Sequence, residues 1–377
     1  MINLGYNERR LIEILRGRGG MSRVELAREM DVSAPTLTRL TANLLEGHLL
    51  VEADPAKVGQ GRGKPSTMLD LNPDGLFTIG VHFNPDDIRV CIADFHGRIR
   101  AELRQPLEEH GFDHIMSIAR QAARDVIEAA KVDRRRVLGC GLSFPGHFTR
   151  VPGHVFQIPQ FSGWHDLDVN TDFQQYFDYP VHHENDGKAV ILSELYYGAG
   201  RNLANFAMIW LTYGIGGGVV VQRHLYGGTH HNAGEFGGLF PKSSPRPSGQ
   251  DLCVTLRSEG REIHRLSDID ETFADHPKVI AWLERATDQL RTLSLTVART
   301  LDPSAIVFGG SLPDWIISRI VDRLGSLDVL GEDFFVEPPE IRKSEFSEVP
   351  HLGAATIPIY RSTTPSYYSG RALKGWQ

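Results

Sequence analysis

Residues 33–43 read Ser-Ala-Pro-Thr-Leu-Thr-Arg-Leu-Thr-Ala-Asn. Leu37, Leu40 and Leu44 recur at three- and four-residue spacing, so they share one face of a helix, while Thr36, Arg39 and Asn43 lie on another. Hydroxyl, guanidinium and carboxamide groups on one outward helical face are the groups that read base edges in a DNA major groove. Ser33 stands where an N-cap is needed, and Pro35 is tolerated in a first helical turn. Ser33, Pro35, Thr36, Thr38, Arg39 and Asn43 therefore form one candidate DNA-contacting set. A second lies in Lys57-Val58-Gly59-Gln60-Gly61-Arg62-Gly63-Lys64-Pro65, where three cations sit in a glycine-rich tip. Arg62 and Lys64 suit phosphate or minor-groove contact. A solvated loop has the same composition, and the sequence alone does not choose between the two.

A reading helix needs a scaffold. Leu11, Ile14 and Leu15 predict a helix over residues 7–16, followed by a break at Gly17, Gly19 and Gly20. Ser22 precedes Glu25 by three residues, the spacing of a capping box, and Leu26, Ala27 and Met30 give the next helix its inner face. A short turn at Asp31-Val32 leads into the reading helix, and Gly47 ends it. Leu49–Glu52 and Thr67–Leu71 read as two short strands around the basic tip. Together these predict a winged helix-turn-helix over residues 1–72.

The chain has 377 residues, too many for one ordinary core. Beyond the turn-forming Asn72-Pro73-Asp74-Gly75, strands are expected at 76–83, 88–93, 98–103, 137–143, 207–212, 219–221 and 305–308. Helices are expected at 113–130, at 282–301 and from Asp314. Two α/β halves, each opening on a meander with a glycine-rich corner, predict an actin-like two-lobed body with a cleft. The expected smaller lobe is 73–186 plus about 350–377, and the larger is 187–349.

The net charge is −7, but residues 1–70 hold ten Lys/Arg against nine Asp/Glu, so the head is near neutral and the body acidic. Local charge sets phosphate contacts, so this permits DNA binding while disfavouring strong non-specific binding. No apolar run is long enough to span a bilayer, and the first ten residues lack a signal-type apolar stretch. Cys91, Cys140 and Cys253 are far apart and odd in number, which fits a reducing cytoplasm and offers no zinc-type spacing. The expectation is a cytoplasmic protein with no membrane partner, metal or cofactor.

From Asn7 to about Tyr360 the chain resembles the ROK family of sugar kinases and related repressors. The resemblance rests on the helix-turn-helix with its Gly-Arg-Gly-Lys-Pro wing, Ile79-Gly80-Val81, Phe144-Pro145-Gly146, Gly163-Trp164 and Glu184-Asn185-Asp186. It continues through Gly214-Ile215-Gly216-Gly217-Gly218, Ala233-Gly234-Glu235-Phe236-Gly237, Asp302-Pro303, Gly309-Gly310 and Leu352-Gly353-Ala354-Ala355. The order and spacing of these runs are more specific than any one of them. The head places the chain with the family's repressors.

The resemblance also implies losses. Where a ROK kinase has an Asp-x-Gly-Gly-Thr phosphate corner, this chain has His82-Phe83-Asn84-Pro85-Asp86. The metal carboxylate is gone, Pro85 offers no N–H, and Asp86 adds negative charge. Tyr213 replaces a small Thr before the second glycine run, whose glycines are then read as serving turns and packing. The family's zinc site is missing too, with Gly238 for its His and Cys253 as a single thiol. Sugar contacts survive in part. Asn185 and Asp186 match the pair that grips sugar hydroxyls, and Glu235 matches the sugar-binding Glu. Trp164 offers either an apolar face near the cleft or a core residue.

Three readings follow. The first is a repressor of carbohydrate genes, acting as a homo-oligomer on operator DNA, with no catalytic residues and a body that senses a small carbohydrate. The others are a sugar kinase with a DNA-binding head, and a DNA-binding protein with a non-responsive body. The altered phosphate corner counts against the second, and the retained Asn185, Asp186 and Glu235 count against the third.

Overall fold

The computed structural model describes residues 3–53, 67–146, 154–155, 161, 164, 167–326 and 337–365. The head comprises α1 (Tyr6–Arg18), β1 (Met21–Ser22), α2 (Arg23–Met30), α3 (Ala34–Glu46), β2 (Leu50–Ala53) and β3 (Met68–Leu71), with the strands in the order β1-β3-β2. Its helix starts follow local chemistry. The Ser22 hydroxyl accepts from the Glu25 N–H, and Glu25 accepts from the Ser22 N–H in return. Asp31, at φ 52°, closes α2 and turns the chain into α3, whose Thr36 N–H donates to the Ser33 hydroxyl. Leu11, Leu15, Leu26, Met30, Leu37, Leu40, Leu44, Leu69 and Leu71 close the core. This is the winged helix-turn-helix that the sequence predicts. Lys57, Arg62 and Lys64 lie outside the described residues.

The first body sheet contains β4 (Phe77–Phe83), β5 (Asp87–Asp94) and β6 (Ile99–Pro106) as an antiparallel meander. After α4 (Phe112–Ala130) come β7 (Val137–Phe144), a small ribbon of β8 (His154–Val155) and β9 (Leu167–Asp168), and β10 (Val181–Asn185). The sheet order is β10-β7-β4-β5-β6. Successive side chains of β4 point to opposite faces, and each face is covered. Ile79, Val81 and Phe83 join a core with Ile115, Met116 and Ala119 of α4.

The chain then crosses through α5 (Asp186–Tyr197) into the second sheet, built from β11 (Phe206–Leu211), β12 (Ile215–Val221) and β13 (His224–Leu225). After α6 (Gly249–Arg257) and α7 (Pro277–Leu301) it adds β14 (Ala305–Gly310), α8 (Asp314–Ser326) and β15 (Glu340–Lys343), giving the order β13-β12-β11-β14-β15. Ala207, Ile209 and Leu211 pack with α7 and α8. Phe206, Met208 and Trp210, on the other face of β11, pack with α5. The last helix, α9 (Pro350–Thr363), returns to the first sheet, so α5 and α9 lie together between the two sheets. This is the two-lobed, actin-like α/β body, with a cleft between the lobes.

Two sequence expectations need correction. Gly216, Gly217 and Gly218 are not an open corner before a strand at 219–221. They lie within β12, paired with Trp210, Ile209 and Met208. At two of the three a side chain has no room: a Cβ on Gly217 would stand 2.2 Å from the Met208 carbonyl, and one on Gly218 would stand 2.9 Å from Ile191 of α5, whereas Gly216 faces open space. The long helix also begins at Pro277, a residue accepted in a first turn, and not at Trp282.

Candidate functional site

On α3, Ser33, Pro35, Thr38, Arg39 and Asn43 are exposed and Thr36 is partly so. Their side chains are not equally available. The Thr36 and Ser33 hydroxyls bond each other at 2.9 Å, and the Thr38 hydroxyl donates to the Ala34 carbonyl at 2.9 Å. The Asn43 amide donates to Glu8 of α1 at 3.3 Å. Arg39 has no hydrogen-bond or ion-pair partner among the described residues, so there its guanidinium is not engaged by a neighbour.

The body's cleft encloses about 900 Å³ and is lined from both lobes. Asn185 and Asp186 enter it where β10 runs into α5. Asn185 is the N-cap: its side-chain oxygen accepts from the Lys188 N–H at 3.3 Å, and its amide donates to the Gly146 carbonyl at 3.0 Å. Glu235 reaches the cleft from the opposite lobe. The structure thus brings Asn185, Asp186 and Glu235 together, as the sequence expects. Burial, with added repulsion from Glu235, raises the Asp186 carboxyl to about 6, although it accepts the Gly187 N–H at 2.9 Å.

Sequence reasoning missed a cation behind these acids. Lys188 is fully buried on the first turn of α5, and its Nζ donates to the His231 carbonyl. Burial pushes its pKa down, against the attraction of Glu184, Glu235 and Asp186. Glu184 bonds His231 Nε2 at 2.8 Å; burial opposes its ionisation, but His231 and Lys188 outweigh that and hold its carboxyl low. The sole sequence signal was a Lys placed after an Asn-Asp-Gly run that opens a helix.

Trp164 does not line the cleft. It is 1% exposed, packed against Phe83, Phe112, Phe144, Phe161 and Phe173, and its indole N–H donates to the His110 carbonyl at 3.0 Å. Of the two alternatives, it is the core residue. The indoles at the cleft are Trp210, near the end of β11, and Trp315, in the first turn of α8.

At the β4–β5 turn, on the cleft wall, the side chains are bonded to other groups of the protein. His82 is buried and bonds the Ser143 hydroxyl at 2.9 Å. Burial and the nearby Arg89 push its pKa down to about 3, so it stays neutral. The Asn84 side chain accepts the N–H groups of Asp86 and Asp87, which fixes the turn. Asp87 is held by Arg89 and Arg104. Asp86 points across the cleft and accepts from the Tyr213 phenol at 2.9 and 3.0 Å. Its pKa is raised by burial, against the lowering effect of that hydrogen bond.

Among the described residues, no three His, Cys, Asp or Glu side chains form a group that could hold a metal ion, and no helix is long and apolar enough to cross a membrane. All three cysteines are buried.

Comparison with known proteins gives concordant matches. The model described as "ROK family" matches residues 78–324. A Sinorhizobium fredii protein named "Uncharacterized protein y4fQ" is 32% identical over 99% of this chain and 94% of its own length. The xylose repressor of Bacillus spizizenii is 24% identical over 94% of each chain. Among solved structures, a ROK family transcriptional regulator described as a homologue of the E. coli MLC protein superposes with a TM-score of 0.70 at 20% identity, covering 96% of both chains. A Streptomyces griseus ROK glucokinase, solved with glucose and AMPPNP, superposes at 0.60 and 20% identity, covering 74% of this chain and 98% of its own.

Proposed function

The chain belongs to the ROK family, and from that premise we propose that it is a DNA-binding transcription regulator, a repressor of carbohydrate uptake or catabolism genes, whose body senses a small carbohydrate and transfers no phosphate. One observation carries this reading. A helix-turn-helix head, whose Arg39 has no partner among the described residues, is built onto a cleft lined by Asn185, Asp186 and Glu235, with Asp86 and Tyr213 bonded to each other across it. The repressor name of a relative matched along nearly its full length supports the same view.

Carboxylates at Asp186 and Glu235 accept from sugar hydroxyls, and the Asn185 amide both donates and accepts. Phosphoryl transfer depends on positioning and neutralising phosphates, and a neutral His82 with an added carboxylate at Asp86 does neither. Helix-turn-helix heads read paired half-sites, so the active form is a homodimer joined through the body, working in the cytoplasm. Carbohydrate in the cleft favours one arrangement of the lobes, which shifts the heads and changes operator affinity.

The test joins two assays. Duplexes are selected from a randomised pool with the full-length protein, and neutral sugars and sugar phosphates are screened by thermal shift, since a ligand specific for the folded state raises the melting temperature. A sugar that raises it is expected to release the selected duplex from the wild type and not from Asp186→Ala. Failure to retain any duplex would overturn the regulator reading, and sugar-stimulated, magnesium-dependent ATP turnover would overturn the loss of phosphoryl transfer.

A further inference from the structure

Helix α5 starts in the cleft and ends at the head. Its twelve residues span about 18 Å at the α-helical rise. Asp186 is its first residue and lines the cleft, while Tyr196 and Tyr197 are its last. Along its length it is wedged between β12 and α9. A Cβ on Gly218 would meet Ile191, and one on Gly353 of α9 would stand 2.7 Å from the Ala189 backbone. Packed this closely on two sides, the helix has little room to bend and transmits a displacement as a unit.

At the far end, Arg16 of α1 is buried in an aromatic socket. Its guanidinium carbon lies 4.3 Å from the Tyr196 ring centroid, 5.0 Å from that of Phe95 and 5.9 Å from that of Tyr197. Nη1 donates to the Phe95 carbonyl at 3.2 Å and to the Tyr197 hydroxyl at 3.4 Å. Nε and Nη2 are buried with no hydrogen-bond partner among the described residues. The socket thus holds a cation mainly by ring faces, and it is incompletely satisfied. Around it, Arg223 pairs with Glu13 of α1 at 2.8 Å and reaches the Leu195 carbonyl of α5, and Arg201 donates to the Arg16 carbonyl. On the head's side, α1 meets the reading helix through Glu8 and Asn43.

We propose that α5 is the element that connects the cleft to the head, and that Arg16 in the Phe95–Tyr196–Tyr197 socket is the positioning residue through which a change at Asp186 reaches the DNA-reading helix. The inference rests on the functional reading above for its biological sense, though not for its test. Movement of α5 shifts the two tyrosine rings under Arg16. Because the guanidinium is held by faces and two hydrogen bonds and not by a paired carboxylate, it resettles without breaking an ion pair.

The experiment is hydrogen exchange on the α1 amides of the full-length chain, with Asp186→Asn as the perturbation at the cleft. In an otherwise wild-type chain, Asp186→Asn is expected to change α1 exchange by about fivefold or more, the lower end of typical site-to-site coupling. In an Arg16→Lys background, which keeps the charge and loses the planar face, the same substitution is expected to leave α1 unchanged. Tyr197→Phe keeps the ring, removes one acceptor and is expected to shrink the transmitted change. It serves as the second variant should Arg16→Lys not fold. An α1 that ignores Asp186→Asn, or responds equally with and without the socket, overturns the proposal. Failure to bind any selected duplex or sugar counts against the functional reading alone, because the exchange coupling requires neither.

Discussion

The Tyr213 phenol donates to both carboxylate oxygens of Asp86, at 3.0 and 2.9 Å, and so ties the β4–β5 turn of one lobe to the β11–β12 turn of the other. A hydrogen bond to a charged group contributes about 1.5–3 kcal/mol. Tyr213→Phe removes the bond and leaves the half-buried carboxylate facing a bare ring edge. It is expected to lower the unfolding free energy by about 1–3 kcal/mol in urea titrations and to increase the radius of gyration in small-angle scattering as the lobes part. An unchanged scattering profile together with unchanged stability would remove the pair from any role in closure.

Magnesium-ATP titrated calorimetrically into the wild type is expected to give no binding heat. The Asp86→Gly/Tyr213→Thr double variant reopens the corner, yet it is expected to show no ATP turnover. His82 still stands where a metal carboxylate is needed, neutral and bonded to Ser143. Turnover in the double variant would show that a group other than the residue at position 82 supplies the metal site.

Asp186 is held in the folded chain with its carboxyl at about 6, against 3.8 as the reference. The native state therefore keeps a proton that the unfolded chain releases between those values, and stability falls as pH rises through that window. Asp186→Asn is expected to stabilise the ligand-free protein at pH 7.5 by on the order of 1–3 kcal/mol. The gain should shrink as pH drops through 6 and vanish below about 4. Denaturant titrations at several pH values check the sign; a loss of stability at neutral pH would show that the ionised carboxylate makes compensating bonds.

On the head, Arg39→Ala is expected to weaken binding to a selected duplex by about 1–3 kcal/mol, with loss of discrimination at one base position. Asn43→Ala is expected to cost less, because the Asn43 amide is already engaged by Glu8. Gel-shift titrations with single-base duplex variants separate the two. Equal losses would place Asn43 beside Arg39 as a base reader.

The head was legible because its signals are local. Ser22 with Glu25, and Ser33 ahead of Pro35, cap their helices through neighbours three residues away. The strand expected at 76–83 was equally readable, and it is β4. Helix α5 was not, since residues 186–196 are all buried and no apolar stripe marks a face. Nor was α9, which carries Pro358 in its interior, where a proline ordinarily argues against a helix. Gly217 and Gly218 of β12 looked like a loop because their cause is tertiary: the Met208 carbonyl and Ile191 occupy the space a side chain would need. In the cleft, Asn185, Asp186 and Glu235 were found by family pattern, whereas Lys188 and Trp210 depend on which way a helix and a strand face.

The packing of α9 has a consequence for the order in which the protein matures. A Cβ on Gly80 would lie 2.1 Å from the His351 carbonyl, and one on Gly141 would lie 1.9 Å from that of Ala354, so this helix seats directly on the backbone of β4 and β7. Those strands leave the ribosome more than two hundred residues before their cover does. Until α9 emerges, the side of the first sheet that carries Cys91 and Ala93 lacks Leu352 and Ala355, the α9 residues packed against them, while the head has long been complete in sequence. A nascent chain at that stage presents a finished reading helix on an unfinished body, the condition in which exposed sheet surface is most prone to mispairing.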